Sequence, residues 1–182
     1  MRSWAAELDI WATIASEAER ESALWGAALR PEADRDGTAV FSALADDRHA
    51  LGLESIYEGY LLHHGRPRLF APDDSDTAVL LGDYLYAHGL VRVAAHGEVA
   101  VVADLAELVS LCSQLRAEER GGDGAAWAGT VALLGSGDGR LEDARAALRL
   151  ESDPEPLLAV AELAAGPDAV DRALALHASF LV

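Results

Sequence analysis

Two glutamates one helical turn apart, Glu54 and Glu58, have a spacing that could support chemistry. Side chains at positions i and i+4 of a helix point the same way, so two such carboxylates could share a divalent cation such as Mg²⁺. The same spacing is typical of a solvated helix face that binds nothing, and taken alone the pair favours that interpretation.

A basic cluster follows the two glutamates. His63 and His64 precede Gly65, and Arg66 and Arg68 come directly after it, separated by one proline. Guanidinium groups bind phosphate and carboxylate through paired hydrogen bonds, so this cluster could hold an anionic group. The alternative is that the arginines contact carbonyls at the end of the preceding helix or neighbouring acids.

One carboxylate, Asp83, interrupts the most apolar run of the sequence, in the segment Gly82-Asp83-Tyr84-Leu85. A buried carboxylate requires hydrogen-bond partners, because an unpaired one would cost several kcal/mol. We therefore expect Asp83 to be a buried structural hub for hydrogen bonds, with a role in a ligand site as the alternative.

The elements that must position these residues are predicted to be helices, because apolar residues recur with helical spacing and strand-like alternation is lacking. A single all-α domain, a helical bundle over residues 1–182, is the fold class that the sequence predicts. Gly52 is expected to mark a break in the second helix. The predicted helices cover 3–30, 38–64 with Thr38 as N-cap, 78–95, 98–119, 125–134, 141–150, 154–164 and 168–181.

The composition excludes several function classes. The 182 residues include 31 acidic and 14 basic side chains, a net charge of −17, and every basic residue is an arginine. Such an acidic chain repels phosphate backbones, so no nucleic-acid partner is expected, and without lysine neither P-loop nor Schiff-base chemistry is possible. No stretch has the length and apolarity of a membrane span, and the acidic N-terminus is unlike a targeting peptide. A cytoplasmic protein is expected.

The segment 54–90 resembles the trans-isoprenyl diphosphate synthases, the polyprenyl synthetase family. Members of that family carry an aspartate-rich motif, Asp-Asp-x-x-Asp, followed by Arg-Arg-Gly-x-Pro and then by an apolar helix that opens Gly-Asp-Tyr-Leu. Here residues 63–67 read His-His-Gly-Arg-Pro and residues 82–85 match the helix opening, with the family's typical separation. Counting back from this match places Glu54 and Glu58 at the outer positions of the aspartate motif.

The resemblance implies a truncated isoprenoid synthase fold and a remnant of a ligand or metal site. In catalytic members the aspartate motif binds Mg²⁺ ions that bridge a prenyl diphosphate. Here Ser55 replaces the middle aspartate, His63 and His64 replace the paired arginines, and the second aspartate-rich motif has no counterpart. The resemblance therefore implies a short, divergent member that lacks both aspartate-rich motifs, with Mg²⁺ as a cofactor only if the remnant site is functional.

Three functions follow as hypotheses. The first is a non-catalytic small or regulatory subunit of a heteromeric polyprenyl diphosphate synthase in isoprenoid biosynthesis. As in family dimers, it would pair with a catalytic subunit or with itself through the helices at 78–95 and 98–119. The second is a divergent enzyme or small-molecule binder, in which Glu54 and Glu58 face a cavity with His63, His64 and Arg66 at its mouth. The third is an unrelated helical adaptor.

Overall fold

The computed structural model describes residues 9–181, and the regular secondary structure in that range is helical. This confirms the all-α prediction. No helix in the described range is both long and apolar enough to cross a membrane. The α-helices are α1 (Ile10–Glu21), α2 (Ala23–Ala27), α3 (Ala50–His64), α4 (Ser75–Ala94), α5 (Val99–Ala117), α6 (Asp123–Ala132), α7 (Gly139–Glu151), α8 (Glu155–Ala165) and α9 (Pro167–Phe180).

The predicted first helix is divided into α1 and α2. Asp9 caps α1 by accepting hydrogen bonds from the backbone N–H groups of Trp11 and Ala12. Ser22 then adopts an extended conformation and its hydroxyl accepts from the N–H of Leu24, which ends α1 and starts α2. The predicted helical residues 3–8 lie outside the described residues.

The second predicted helix begins later than expected. Residues 38–49 form extended backbone and two one-turn 3-10 helices, Ser42–Leu44 and Asp47–His49, and α3 starts only at Ala50. The Asp46 carboxylate accepts a hydrogen bond from the N–H of Arg48, and this local capping competes with a continuous helix. The later helices agree with the predicted ones to within a few residues.

Helices α3 and α4 touch backbone to backbone through two pairs of glycines. A Cβ atom on Gly59 would lie 2.8 Å from the carbonyl oxygen of Gly82, and one on Gly89 would lie 2.9 Å from that of Gly52. The glycines of each helix are seven residues apart, which places both on one face. Gly52 therefore lies inside α3 at a helix crossing, and the prediction that it breaks the helix is wrong.

Helix α3 is enclosed on every side. All residues from Gly52 to Leu62 are buried. One apolar core packs α3 against α5, α6, α8 and α9 and contains the fully buried Trp127, while a second packs α1 against α3 and α4 around Ile14 and Leu81. Any polar side chain in the middle of α3 must therefore find its hydrogen-bond partners within the protein.

Replacing Gly89 with alanine should destabilise the protein. Alanine favours a helix interior by about 1 kcal/mol over glycine, but the added methyl group would lie 2.5 Å from Ile56 Cγ1 and close to backbone. Overpacking of this kind costs about 1–3 kcal/mol, so we expect a net loss of stability in urea unfolding. Gly121→Ala is the matched control, because no atom of residues 9–181 other than its chain neighbours lies within 4 Å of its added Cβ. Equal stability of the two variants would contradict close α3–α4 contact.

Candidate functional site

The two glutamates singled out by their spacing bind an arginine. Glu54 and Glu58 lie on successive turns of α3, and their side chains are 1% and 0% exposed. Arg68, in the segment after α3, is fully buried between them: its Nη1 is 2.6 Å from Glu54 Oε2 and its Nε is 3.0 Å from Glu58 Oε2. We call these three side chains the Glu54–Arg68–Glu58 cluster.

The remaining carboxylate oxygens of the cluster also accept hydrogen bonds from protein groups. Glu54 Oε1 accepts from the Ser42 hydroxyl at 2.5 Å and from the N–H of Val40 at 3.3 Å. Glu58 Oε1 accepts from the N–H of Leu69 at 2.7 Å. Every oxygen of the pair thus has a donor, so in the described residues these carboxylates contact protein and do not line an open cavity.

Arg68 is held on all sides. Its Nη1 donates to the carbonyl oxygen of Thr38 at 2.8 Å and its Nη2 to that of Glu54 at 3.3 Å. Its guanidinium carbon lies 4.6 Å from the ring centre of Trp11 and 5.0 Å from that of Tyr57, distances at which a cation is attracted to an aromatic face. Burial alone would lower the pKa of Arg68, but the two carboxylates outweigh it and raise the pKa.

The arrangement does not fit a magnesium ion. A guanidinium occupies the space between the two carboxylates that a shared cation would need, and Mg²⁺ tolerates little departure from octahedral oxygen coordination. Across residues 9–181, no three histidine, cysteine, aspartate or glutamate side chains converge so that they could hold a metal. We therefore assign no catalytic step to a metal at Glu54 and Glu58.

The predicted hub residue Asp83 is on the surface. Its side chain is 65% exposed, and Oδ1 lies 3.2 Å from His63 Nε2, although the two atoms lack hydrogen-bond geometry. Gly82 and Leu85 are buried while Asp83, one step further round α4, points outward. The prediction that the Asp83 carboxylate is buried is wrong. Helix α4 packs on one side only, so even its most apolar stretch has residues that face outward.

The rings of His63 and His64 are neighbours, with centres 5.7 Å apart, while the Arg66 guanidinium lies against Phe180. His63 stacks on the ring of Tyr86, with ring centres 5.2 Å apart. His64 lies beside Tyr60, 5.1 Å between ring centres. Arg66 is exposed, and its guanidinium lies 4.9 Å from the ring centre of Phe180. Its N–H also donates to the Phe180 carbonyl at 2.8 Å, so this residue joins the turn after α3 to the end of α9.

A second buried polar cluster joins α3, α5, α6 and α9, and the sequence analysis did not identify it. Tyr60 donates its hydroxyl hydrogen to Asp123, and Arg116 Nη2 lies 2.7 Å from the same Tyr60 oxygen and pairs with Asp123. The Tyr57 hydroxyl is 2.9 Å from His177 Nδ1, and His177 Nε2 is 3.8 Å from Asp123 Oδ2. No spacing along the chain relates these residues, since only the packing of four helices brings them together.

The electrostatics of this cluster favour a charged aspartate and uncharged phenols. Burial would raise the pKa of Asp123, but polar contacts with His177, Tyr60 and Arg116 lower it well below its ordinary value. Burial and the Asp123 charge raise the pKa of Tyr60 far above its ordinary value. The cluster is built around the Arg116–Asp123 ion pair, and all its members are polar side chains of the packed helices, which is typical of a structural network.

Comparison with known proteins identifies no relative. No family model, no curated protein and no solved structure matches the chain. The geometry described above is therefore the basis on which a function can be proposed.

Replacing Arg68 with methionine should destabilise the protein by about 3–5 kcal/mol, because two buried carboxylates lose the cation that pairs with both of them. Urea unfolding measures this loss. Arg66→Met is the matched control two residues away, and its exposed side chain should change stability by no more than about 0.5 kcal/mol. The triple variant Glu54→Gln/Glu58→Gln/Arg68→Met leaves no buried charge unpaired and should be more stable than Arg68→Met. If the triple variant is the less stable of the two, the cluster is not an ion-pair network.

His64 should titrate near pH 4. Burial, His63 and Arg116 lower the pKa of His64 from 6.5 to about 4. The unfolded chain then binds a proton at this residue between those two pH values while the folded chain does not, so this group reduces stability as pH falls from above 6.5 to below 4. NMR titration of the imidazole, assigned with His64→Gln, measures the midpoint. A midpoint near 6.5 would show that the ring is solvated.

Proposed function

We propose that this chain is a non-catalytic relative of the isoprenyl diphosphate synthases and acts as the small or regulatory subunit of a heteromeric polyprenyl diphosphate synthase. The observation that carries the proposal is the Glu54–Arg68–Glu58 cluster. At the two positions that the family resemblance aligns with metal-binding aspartates, the carboxylates bind an internal arginine and support the packing of α3. On this alignment, an internal arginine takes the place that a metal ion would have between the two carboxylates.

The residues aligned with the diphosphate-binding motif also make contacts within the protein. Loss of a diphosphate is accelerated by cations placed around the leaving group. His64 carries a pKa of about 4 and is neutral near pH 7, His63 stacks on Tyr86, and Arg66 contacts the end of α9. These contacts within the protein argue for a structural subunit over a prenyl transferase.

The outward side of α5 supports a partner-binding role. This chain has 45 charged residues among 182, yet every exposed position of α5 between Val99 and Ala117 carries valine, alanine or serine. The charged residues Asp104, Glu107 and Arg116 of this helix are half-buried and pair with α6 or α7. An exposed helix face without charge is unusual in such an acidic chain and is typical of a surface that another protein covers. The exposed residues are Val99, Ala100, Ala103, Ala106, Ser110, Ser113 and Ala117.

The outward side of α4 continues this surface. Leu80 and Val91 are large apolar residues that are 56% and 64% exposed. Helix α4 runs directly into α5 through a short turn, and the two pack side by side on the same core. We call the exposed sides of α4 and α5 together the α4–α5 face. It belongs to the helices aligned with the dimer interface of the resembled family.

Charge favours a heteromeric partner over a second copy. Two copies of a chain with a net charge of −17 repel each other, and the exposed charges on the α4 side of the α4–α5 face, Asp76 and Asp83, are both negative and would add to that repulsion between two copies. A less acidic catalytic subunit meets the same apolar surface without this cost. We therefore favour a complex between different chains.

The Val91→Arg variant should abolish copurification with a tagged catalytic prenyl synthase encoded in the same genome, because a charge in the centre of an apolar interface is strongly unfavourable. Leu163→Arg is the matched control, since Leu163 is 71% exposed on α8, which does not contribute to the α4–α5 face. Pull-down after coexpression measures both. Retention of Leu163→Arg and loss of Val91→Arg support the proposal.

Failure of the wild-type chain to bind any prenyl synthase of its own genome would contradict the proposed function. The alternative of a working remnant site makes a different prediction in calorimetry with Mg²⁺ and a prenyl diphosphate. A working site should give heat of binding with the wild type and no heat with Glu54→Gln/Glu58→Gln. A non-catalytic subunit should give no heat of binding with the wild type or with this double variant.

A further inference from the structure

A buried histidine joins the segment before α3 to the turn between α4 and α5. His49 ends the one-turn helix Asp47–His49, and its side chain is only 4% exposed. Its ring packs edge-to-face against that of His96, which lies in the turn after α4, with ring centres 5.7 Å apart. This contact links two segments that are almost fifty residues apart in the chain, so the protonation state of one ring bears on both.

The hydrogen bonding of His49 defines which ring nitrogen carries the proton. Its Nε2 accepts a hydrogen bond from Arg48 Nε at 3.2 Å. An accepting ring nitrogen carries no hydrogen, so the neutral ring has its hydrogen on Nδ1. That nitrogen is buried and has no hydrogen-bond partner among residues 9–181. The Nδ1–H form of His49 therefore depends on the hydrogen bond from Arg48 at the other side of the ring.

One carboxylate faces both members of this hydrogen bond. Glu98 directly precedes α5, and its Oε1 lies 2.8 Å from Arg48 Nη1 while its Oε2 lies 3.4 Å from His49 Nε2. With the ring neutral, Nε2 and Oε2 are both acceptors, and Arg48 is the donor that lies between them. A proton on Nε2 reverses this relation, because Nε2 then donates and Glu98 Oε2 is the acceptor beside it.

The surroundings of the ring oppose its protonation at neutral pH. In the described part of the chain, the charged and titratable groups around His49 are Asp46 and Arg48 from its own segment and His96 and Glu98 from the turn. Burial lowers the pKa of His49 below its ordinary value of 6.5, and Arg48 and His96 lower it further, against the carboxylates of Glu98 and Asp46. Moving Arg48 away from the ring therefore favours the proton, and binding the proton favours moving Arg48 away.

We propose that His49 is a pH-sensitive switch that exchanges the partner of Glu98. At neutral pH, Arg48 binds the Glu98 carboxylate and the His49 ring together. When Nε2 of His49 takes a proton from solvent, its hydrogen bond from Arg48 Nε breaks and a new one from Nε2–H to Glu98 Oε2 forms. Arg48, whose side chain is already 53% exposed, turns into solvent. The link between the segment before α3 and the start of α5 then passes from Arg48 to His49.

NMR of the intact chain tests this switch, because the shifts of the ring nitrogens distinguish the two neutral forms of histidine from the cation. Above the midpoint we expect His49 in its Nδ1–H form and the Arg48 Nε–H slow to exchange with solvent. As pH falls, His49 should titrate with a midpoint below 6.5, and the protection of the Arg48 Nε–H should be lost with the same midpoint. An Nε2–H form above the midpoint, or an Arg48 signal that ignores the titration, would overturn the proposal.

Two substitutions should shift the His49 midpoint in opposite directions. Arg48→Gln removes a neighbouring cation and should raise it, whereas Glu98→Gln removes a carboxylate and should lower it. Arg140→Gln is the matched control, an exposed arginine on α7 that pairs with Asp138, and it should leave the midpoint unchanged. Shifts in the same direction, or no shift beyond that of the control, would contradict the switch.

Both substituted side chains are partly exposed, 53% for Arg48 and 31% for Glu98, so both variants should fold, which circular dichroism checks. The His49 signal itself is assigned with His49→Gln. The measurement uses the chain alone, without a partner protein, so its outcome is independent of the proposed subunit function.

Discussion

The structure depends on pairing two negative charges that are buried in α3, a helix enclosed by the rest of the protein. Helix α3 contacts other parts of the protein all round, yet it carries two glutamates whose side chains are at most 1% exposed. Burying one unpaired carboxylate costs several kcal/mol, so this packing is possible only because Arg68 and backbone N–H groups supply donors to every carboxylate oxygen. The position of the segment after α3 follows from this requirement, because Arg68 must reach back between two turns of the helix.

The pairing of these buried charges differs from the metal-binding role that the family resemblance implies for the two glutamates. Glutamates one turn apart are compatible with a shared metal, with a solvated face or with an ion pair, and the spacing alone does not decide among them. The presence of a guanidinium does decide, since a cation already lies between the carboxylates. A function in assembly is consistent with this chemistry, and the uncharged outer side of α5 provides a surface for it.

Helices α4 to α9 were predictable from the sequence because apolar residues recur in them at helical spacing and strand-like alternation is lacking. The start of α3 was not, because Phe41 and Leu44 are buried with helical spacing while Asp46 caps a short turn between them and Ala50. Asp83 was misplaced because hydropathy along the chain does not reveal which side of α4 faces outward. The cluster around Tyr60 and Asp123 depends on contacts between distant helices, which no local pattern records.

Arg68 also has a consequence for cooperativity. It bonds to the carbonyl of Thr38 before α3, to Glu54 and Glu58 within α3, and its own carbonyl accepts from the N–H of Asp36. The irregular segments on either side of the helix are thus joined through one residue. Amide protons in regions with few buried contacts normally exchange through local opening. Because Arg68 bonds to both irregular segments and to α3, we expect the amide protons of these segments to be protected together with those of the helix, although the segments contain little regular secondary structure.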